Sequence, residues 1–257
     1  MKFEAVIFDW AGTTVDYGCF APVQTFIEVF KEYGITPTME ETRKPMGMLK
    51  WDHIKTMLSM ERINQEFQKI YGRKPEDDDV TAMHDLFLSK LLRVLNLFAE
   101  PKEYVLETVE KLRNAGIKIG STTGYTDQMM EIVVREAKKA GYEPDCIITP
   151  DSVSHMGRPY PYMIFKNMEA LKVTSIKKVL KVGDTISDIL EAKNAGVMAV
   201  GIVEGSSEMG LTKAEYEALP DVERSVRAEA VRARYIEAGA DYVITDIRGV
   251  LKLVSCN

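Results

Sequence analysis

Cysteine is scarce in this chain and does not pair. Cys19, Cys146 and Cys256 are the only three among 257 residues, and none stands in a C-x-x-C spacing, so neither a disulfide framework nor a cysteine zinc site organises the fold. A surplus of basic charge is missing too: 33 Lys+Arg against 39 Asp+Glu leaves a formal net charge of −6. Such a chain has no global field for nucleic-acid phosphates, and no nucleic-acid partner is expected. No apolar run reaches the roughly 20 residues that cross a bilayer, and the opening MKFEAVIFDW has an acidic residue and no signal-peptide profile. A cytoplasmic protein with no membrane partner is the expectation. Internal repeats and low-complexity tracts are absent as well. What is present, 46% hydrophobic and 28% charged residues, is the composition of a folded protein with room for one large domain or a core plus an insertion.

Short β-branched runs recur at 3–8, 117–121, 146–149, 179–182, 197–203 and 242–244, with helical periodicity between them. That alternation predicts an α/β fold, a doubly wound parallel sheet with helices on both faces. Val105, Val109 and Leu112 mark one helix ahead of Gly116, and Thr126 is placed to cap another carrying Met129, Met130, Val133 and Val134. One connection is out of proportion. About 30 residues suffice for a β-α-β unit, yet about 100 separate the first two strands, and they show only helical patterns. Val23, Phe26, Ile27 and Phe30 share a face between Pro22 and Gly34, Thr38 and Glu41 match a capping box, and Val80, Met83, Phe87, Leu88, Leu91, Leu92 and Leu95 mark a later helix. The division is therefore an α/β core at 1–18 and 99–257 with an all-helical cap inserted at 19–98. The charged stretch 215–234 reads as a solvated helix face, its apolar side Val222, Val226 and Tyr235, with no part in function.

The first strand runs into Asp9-Trp10-Ala11-Gly12-Thr13-Thr14, which puts Asp9 at the carboxyl edge of the sheet, where open α/β folds bind ligands. A carboxylate there can attack phosphorus if a cation offsets its charge. The strand at 179–182 runs into Gly183-Asp184-Thr185-Ile186-Ser187-Asp188, so Asp184 emerges at a neighbouring edge with Asp188 one turn beyond. Two or three carboxylates suit Mg²⁺. An Asp after a strand is also a common helix cap. Four ordered pieces, DWAGTT at 9–14, STTGYT at 121–126, GRPYPYM at 157–163 and GDTISD at 183–188, make chance the weaker reading. In the cap, Lys50 and His53 stand at i and i+3, which puts an amine and an imidazole on one helix face. The amine could form an iminium with an aldehyde, His53 could shuttle its protons, and Arg43 and Lys44 nearby would help keep Lys50 neutral.

Together these pieces resemble the haloacid dehalogenase superfamily across the whole core. The resemblance implies that Asp9 is nucleophile and metal ligand, that the Ala11 carbonyl and Asp184 complete the protein ligands of Mg²⁺, and that Thr13 and Asp188 support them. It also implies that Thr123 holds the phosphoryl group and Arg158 neutralises it. Members acting on phosphate esters carry an acid two residues after the nucleophile, where this chain has Ala11, so the usual general acid is missing. With Ala11, the segment Pro45-Met46-Gly47-Met48-Leu49-Lys50 followed by Asp52 and His53, and Gly157-Arg158-Pro159-Tyr160-Pro161, the chain is similar to the superfamily's phosphonatase branch. That implies hydrolysis of the C–P bond of a phosphonate aldehyde through a Lys50 Schiff base. It places Cys19, Met46, His53, Gly124 and Tyr125 around the substrate and implies a homodimer, for which Phe26, Phe30 and Trp51 offer either contact surface or core packing. An O-phosphatase or phosphomutase with an unusual acid, and a non-catalytic phosphate-binding scaffold, are the alternatives.

Overall fold

In the computed structural model, which describes residues 3–255, strand β1 (Ala5–Phe8) is followed by six helices before the chain returns to the sheet, five of them ahead of Leu95. The five are α1 (Phe20–Glu32), α2 (Met39–Arg43), α3 (Lys50–Ser59), α4 (Glu61–Tyr71) and α5 (Asp77–Leu91), with a 3-10 turn at Leu95–Phe98 leading out. The remaining elements alternate: α6 (Val105–Asn114), β2 (Lys118–Thr122), α7 (Asp127–Lys139), β3 (Cys146–Ile148), α8 (Tyr162–Ala170), β4 (Val179–Gly183), α9 (Ile186–Ala195) and β5 (Met198–Ile202). Helices α10 (Lys213–Ala218) and α11 (Asp221–Glu237), strand β6 (Tyr242–Ile244) and α12 (Gly249–Ser255) complete the chain. The sheet is parallel throughout, in the order β3-β2-β1-β4-β5-β6. The strand order reverses beside β1, and the crevice at such a switch point is where ligands bind in doubly wound folds.

Side chains of β1 alternate between the two faces. Val6 and Phe8 join a core shared with α6, α7, α12 and the inserted helices, whereas Ala5 and Ile7 pack with α8, α9 and α11. Within the insertion, Phe26, Phe30, Ile54, Met57, Phe67 and Phe87 are fully buried. That settles the question left open for Phe26 and Phe30: they are packing residues, not contact surface. Trp51 is half-buried and its indole donates to Thr81 Oγ1 at 3.2 Å.

Local signals act as their chemistry requires, with two exceptions. Thr38 and Glu41 form both bonds of the capping box at α2. Thr126 occupies the N-cap of α7, but its hydroxyl makes no capping bond; the first amide, that of Asp127, donates instead to the Asp151 carboxylate at 2.7 Å. The larger correction concerns the charged stretch. Pro220 divides it into α10 and α11, and Val222 and Val226 are 77% and 65% exposed. The apolar side of α11 is Val231 with Tyr235, and the Tyr235 hydroxyl lies 2.7 Å from the Asp184 carbonyl and 3.0 Å from that of Ile202. A Cβ on Gly201 would stand 2.5 Å from this ring, so the missing side chain admits the tyrosine. Helix α11 thus braces the strand end that carries Asp184. Cys19 is buried and Cys146 half-buried, both as free thiols, and Cys256 lies outside the described residues.

Replacement Phe30→Ala should cost about 3–5 kcal/mol by emptying part of the inserted helical core, while Val226→Ala should change stability by less than about 0.5 kcal/mol. Denaturant unfolding of the two variants measures both.

Candidate active site

Three strand ends supply the centre of the site. Asp9 follows β1, Thr123 follows β2 and Asp184 follows β4, and the inserted segment brings Cys19, Met46, Gly47 and Lys50 over them. A small cavity of about 20 Å³ is lined by Asp9, Ala11, Cys19, Met46, Gly47, Lys50, Thr123, Gly124, Tyr125, Arg158 and Thr185, about enough for a single water. Asp9 is the only carboxylate on this wall and Lys50 the only amine. A wider cleft of about 480 Å³, bordered by Asp16, Phe20, Leu97, Lys102, Glu103 and Lys213, lies away from Asp9, Asp184 and Lys50.

The close fit of insertion and core depends on two glycines. Gly47 has φ +87°, and a Cβ there would lie 2.5 Å from Thr185 Oγ1 and 2.8 Å from Ser187 Cβ. Gly124 meets the other side of the same segment, since its Cβ would sit 3.1 Å from the Met48 carbonyl oxygen. Ser187 Oγ donates to the Met46 carbonyl at 3.1 Å, a direct bond across the junction.

Beneath the cavity lies a fully buried charge network. One terminal nitrogen of Arg158 donates to Asp9 Oδ1 at 2.6 Å and to Thr122 Oγ1 at 3.0 Å; the other lies 3.1 Å from Asp188 Oδ1, and Nε is 3.2 Å from Glu191 Oε2. Lys181 Nζ donates to Asp188 Oδ1 at 2.6 Å and lies 3.7 Å from Glu191. Thr185 Oγ1 donates to Asp188 Oδ2 at 2.6 Å. Burial works against the Asp188 carboxylate, but Arg158 and Lys181 hold it below the usual range. Burial also works against the Arg158 cation, and Asp188, Asp9 and Glu191 more than restore it.

Asp9, Asp184 and Asp188 present oxygens within 4.8 Å of one another, all buried. Thr13 Oγ1 donates to Asp184 Oδ1 at 2.9 Å and the Ser207 amide to Oδ2 at 2.8 Å. Burial, then the charges of Asp9 and Asp188, push the Asp184 carboxyl well above its ordinary value. With all four carboxylates ionised, Asp9, Asp184, Asp188 and Glu191 would exceed Arg158 and Lys181 by two negative charges, and after burial it is this charge that holds the Asp184 carboxyl up when no cation offsets it. Oxygen donors with that excess fit a divalent hard cation.

Lys50 opens α3 and is buried, with Nζ 5.2 Å from the Tyr125 ring centroid and 5.8 Å from that of Phe26. Burial lowers its pKa from the ordinary 10.5, and Arg158 adds to the effect. Arg158, not Arg43 or Lys44, is therefore the cation acting on the amine: Arg43 turns away to Gly18 and Ser207, and Lys44 is exposed. His53 lies one turn on, stacked on Phe26 with ring centroids 3.8 Å apart. Its Nε2 is 2.9 Å from the Thr42 carbonyl, an acceptor only, so Nε2 carries the hydrogen and the buried, unpartnered Nδ1 is the basic nitrogen. Burial and then Lys50 keep this ring neutral. Burial likewise pushes the Cys19 thiol and the Tyr125 phenol well up, so both stay protonated. Thr123 Oγ1 accepts the Tyr125 amide at 3.1 Å.

Sequence reading passed over Lys181, Glu191, Lys102 and Asp16. Lys181 stands in the apolar run of β4, where a lysine is anomalous in a doubly covered strand, and Glu191 follows Asp188 by three residues on the buried face of α9. Lys102 Nζ donates to the Gly12 carbonyl at 2.6 Å and that of Glu204 at 2.8 Å, fixing the turn after Asp9, and burial pulls it down to about 8. Asp16 accepts the amides of Phe20 and Ala21 and thereby opens α1; burial pushes it up to about 7.

Residues 3–196 match the model of the haloacid dehalogenase-like hydrolases. A phosphonoacetaldehyde hydrolase of Lysinibacillus sphaericus is 52% identical over 99% of this chain and 95% of its own length. A bifunctional phosphonoacetaldehyde hydrolase/aminoethylphosphonate transaminase of Clostridioides difficile is 51% identical over 95% of this chain and 38% of its own. Among solved structures, a phosphonoacetaldehyde hydrolase-like protein from Oleispira antarctica superposes with a TM-score of 0.97 at 35% identity, over 100% of this chain and 92% of that one. With fold, strand-end carboxylates and buried lysine in place, the chain belongs to the haloacid dehalogenase-like hydrolases and, within them, to the phosphonoacetaldehyde hydrolase family.

Proposed function

We propose that this protein hydrolyses the C–P bond of phosphonoacetaldehyde to acetaldehyde and phosphate through a Schiff base at Lys50. The observation that carries the reading is the pairing of Asp9 with Lys50 on one cavity wall that holds no second carboxylate. An ester leaving group needs a proton donor, and Ala11 stands where that acid would be. An aldehyde needs an uncharged amine, and burial beside Arg158 favours one at Lys50.

Lys50 Nζ attacks the aldehyde carbon, and loss of water gives an imine whose protonated form is an electron sink β to phosphorus. His53, held as the Nε2–H tautomer by Thr42, offers Nδ1 for the protons this exchange moves. Asp9 attacks phosphorus, and the C–P bonding pair flows into the iminium to leave an enamine on Lys50 and an aspartyl phosphate on Asp9. Water hydrolyses the aspartyl phosphate, and protonation and hydrolysis of the enamine release acetaldehyde and the free amine. Asp9, Asp184 and the Ala11 carbonyl, with Asp188 behind, would hold Mg²⁺, which when bound would offset the charge between carboxylate and phosphonate. Arg158 keeps Asp9 oriented and faces the phosphoryl oxygens, with Thr123 and the Gly124 backbone beside them. Cys19, Met46 and Tyr125 close the cavity around the two-carbon arm.

The cavity is too small for this substrate, so the inserted helices at 19–98, acting as a cap on the core at 1–18 and 99–257, must lift to admit it and reseat to exclude water. A cytoplasmic homodimer is the setting proposed for the enzyme. Among the described residues no helix is long and apolar enough to cross a membrane. The aminoethylphosphonate transaminase joined to the Clostridioides difficile relative supports an aldehyde derived from an aminophosphonate as the substrate.

Phosphate release from phosphonoacetaldehyde should exceed that from a panel of phosphate esters and stop when the metal is chelated; ester preference would contradict the reading. Lys50→Met should lose turnover by about 10⁴-fold or more while folding normally. Because the native protein holds this amine less protonated than the unfolded chain does, wild-type stability rises with pH from the lowered value toward the ordinary one. The Met variant should lack that slope and unfold no earlier than wild type near neutrality. Gly47→Ala should wedge the junction open and reduce turnover by about 100-fold, with kcat/KM and thermal unfolding measured side by side.

A further inference from the structure

Arg43, the last residue of α2, crosses from the inserted segment to the core. One terminal nitrogen donates to the Gly18 carbonyl at 2.8 Å, to the Ser207 carbonyl at 3.1 Å and to Ser207 Oγ at 3.2 Å. The guanidinium lies over the Phe20 ring at 4.9 Å, and Gly210 leaves room for it, since a Cβ there would stand 3.2 Å from Nε. Its Nε and second terminal nitrogen are buried without a hydrogen-bond partner. Asp184, Asp16 and Glu208 lie close enough to favour the cation, but two buried donors without acceptors are costly to seat for packing alone.

Its acceptor explains the seat. The Ser207 amide donates to Asp184 Oδ2, so the residue that Arg43 grips is the one that fixes a metal-site carboxylate. Ser207 is itself set by a tight turn, in which Ser206 Oγ donates to the Val203 carbonyl and accepts the Met209 amide, and the Gly210 amide donates to the Ser206 carbonyl. A load on Ser207 therefore reaches Asp184 directly, through the amide that donates to its carboxylate.

We infer that Arg43 is a positioning residue that transmits cap closure to the metal site through Ser207 and Asp184. This rests on the metal-dependent reading above. Seated, Arg43 holds the 206–210 turn so that the Ser207 amide fixes Asp184 Oδ2; lifted with the cap, it releases that turn. Coupling of this kind is reciprocal, so the metal tightens closure by the same factor by which closure tightens the metal.

The test titrates Mg²⁺ calorimetrically into the full-length enzyme in saturating inorganic phosphate, with phosphate release from phosphonoacetaldehyde followed against Mg²⁺ in parallel. Arg43→Ala should weaken Mg²⁺ affinity by about tenfold, and Arg43→Lys should recover most of it through one donor to the Ser207 carbonyl. Arg62→Ala removes an ion pair to Glu41 that lies within the inserted helices, and should leave Mg²⁺ affinity unchanged even if the cap is less stable. Folded Arg43→Ala binding Mg²⁺ as tightly as wild type does, or an equal loss in Arg62→Ala, would overturn the inference. Absence of Mg²⁺ binding by the wild type would overturn the metal reading beneath it.

Discussion

Four carboxylates, Asp9, Asp184, Asp188 and Glu191, are buried at one end of a parallel sheet; Arg158 with Lys181 makes the burial of Asp9, Asp188 and Glu191 tenable, while Thr13 and the Ser207 amide hold Asp184. Removing one partner from such a network leaves charge without solvent, typically at about 3–5 kcal/mol. The cations do more than neutralise. Arg158 reaches three carboxylates from one planar group, so the directions of Asp9, Asp188 and Glu191 are fixed relative to one another. The remaining acidic oxygens suit the divalent cation of the proposed reaction, so the residues that set the electrostatics of the fold are also those of the candidate site.

The inserted helices solve a different problem. The proposed imine chemistry needs an amine out of water and close to Asp9, yet the core offers no such group among the residues lining the cavity. Lys50 at the head of α3 supplies it, and the close approach of Gly47 to Thr185 and of Gly124 to Met48 brings it down onto Asp9. Burial lowers the pKa of Lys50 and keeps His53 neutral, so one desolvated compartment prepares both nitrogens. Ala11 fits the proposed mechanism: were the leaving group handled by an iminium, a carboxylic acid beside Asp9 would add negative charge and no step.

The core of the fold was legible because its signals are local. Strand-end Asp9 and Asp184, the Thr38 capping box and the helix-only stretch between β1 and β2 each follow from a few neighbouring residues. The supporting charges were not, because their partners are remote in sequence. Glu191 resembles any polar helix residue until Arg158, 33 positions earlier, is placed beside it. Lys181 did carry a signal, a cation inside a covered apolar strand. Arg43 was noticed for its charge but assigned to Lys50, since spacing along the chain says nothing of which way a side chain turns. Val222 and Val226 misled for the complementary reason: helical periodicity marks a face, while Pro220 and the seat of Tyr235 decide which residues of α11 reach the sheet.

The central claim is a covalent bond between Lys50 and the aldehyde, and borohydride trapping tests it most directly. Enzyme mixed with phosphonoacetaldehyde or acetaldehyde and reduced should gain the mass of a two-carbon adduct, located by peptide mass spectrometry at Lys50 and absent from Lys50→Met. An unmodified Lys50 in an enzyme that turns over phosphonoacetaldehyde under the same conditions would contradict the account.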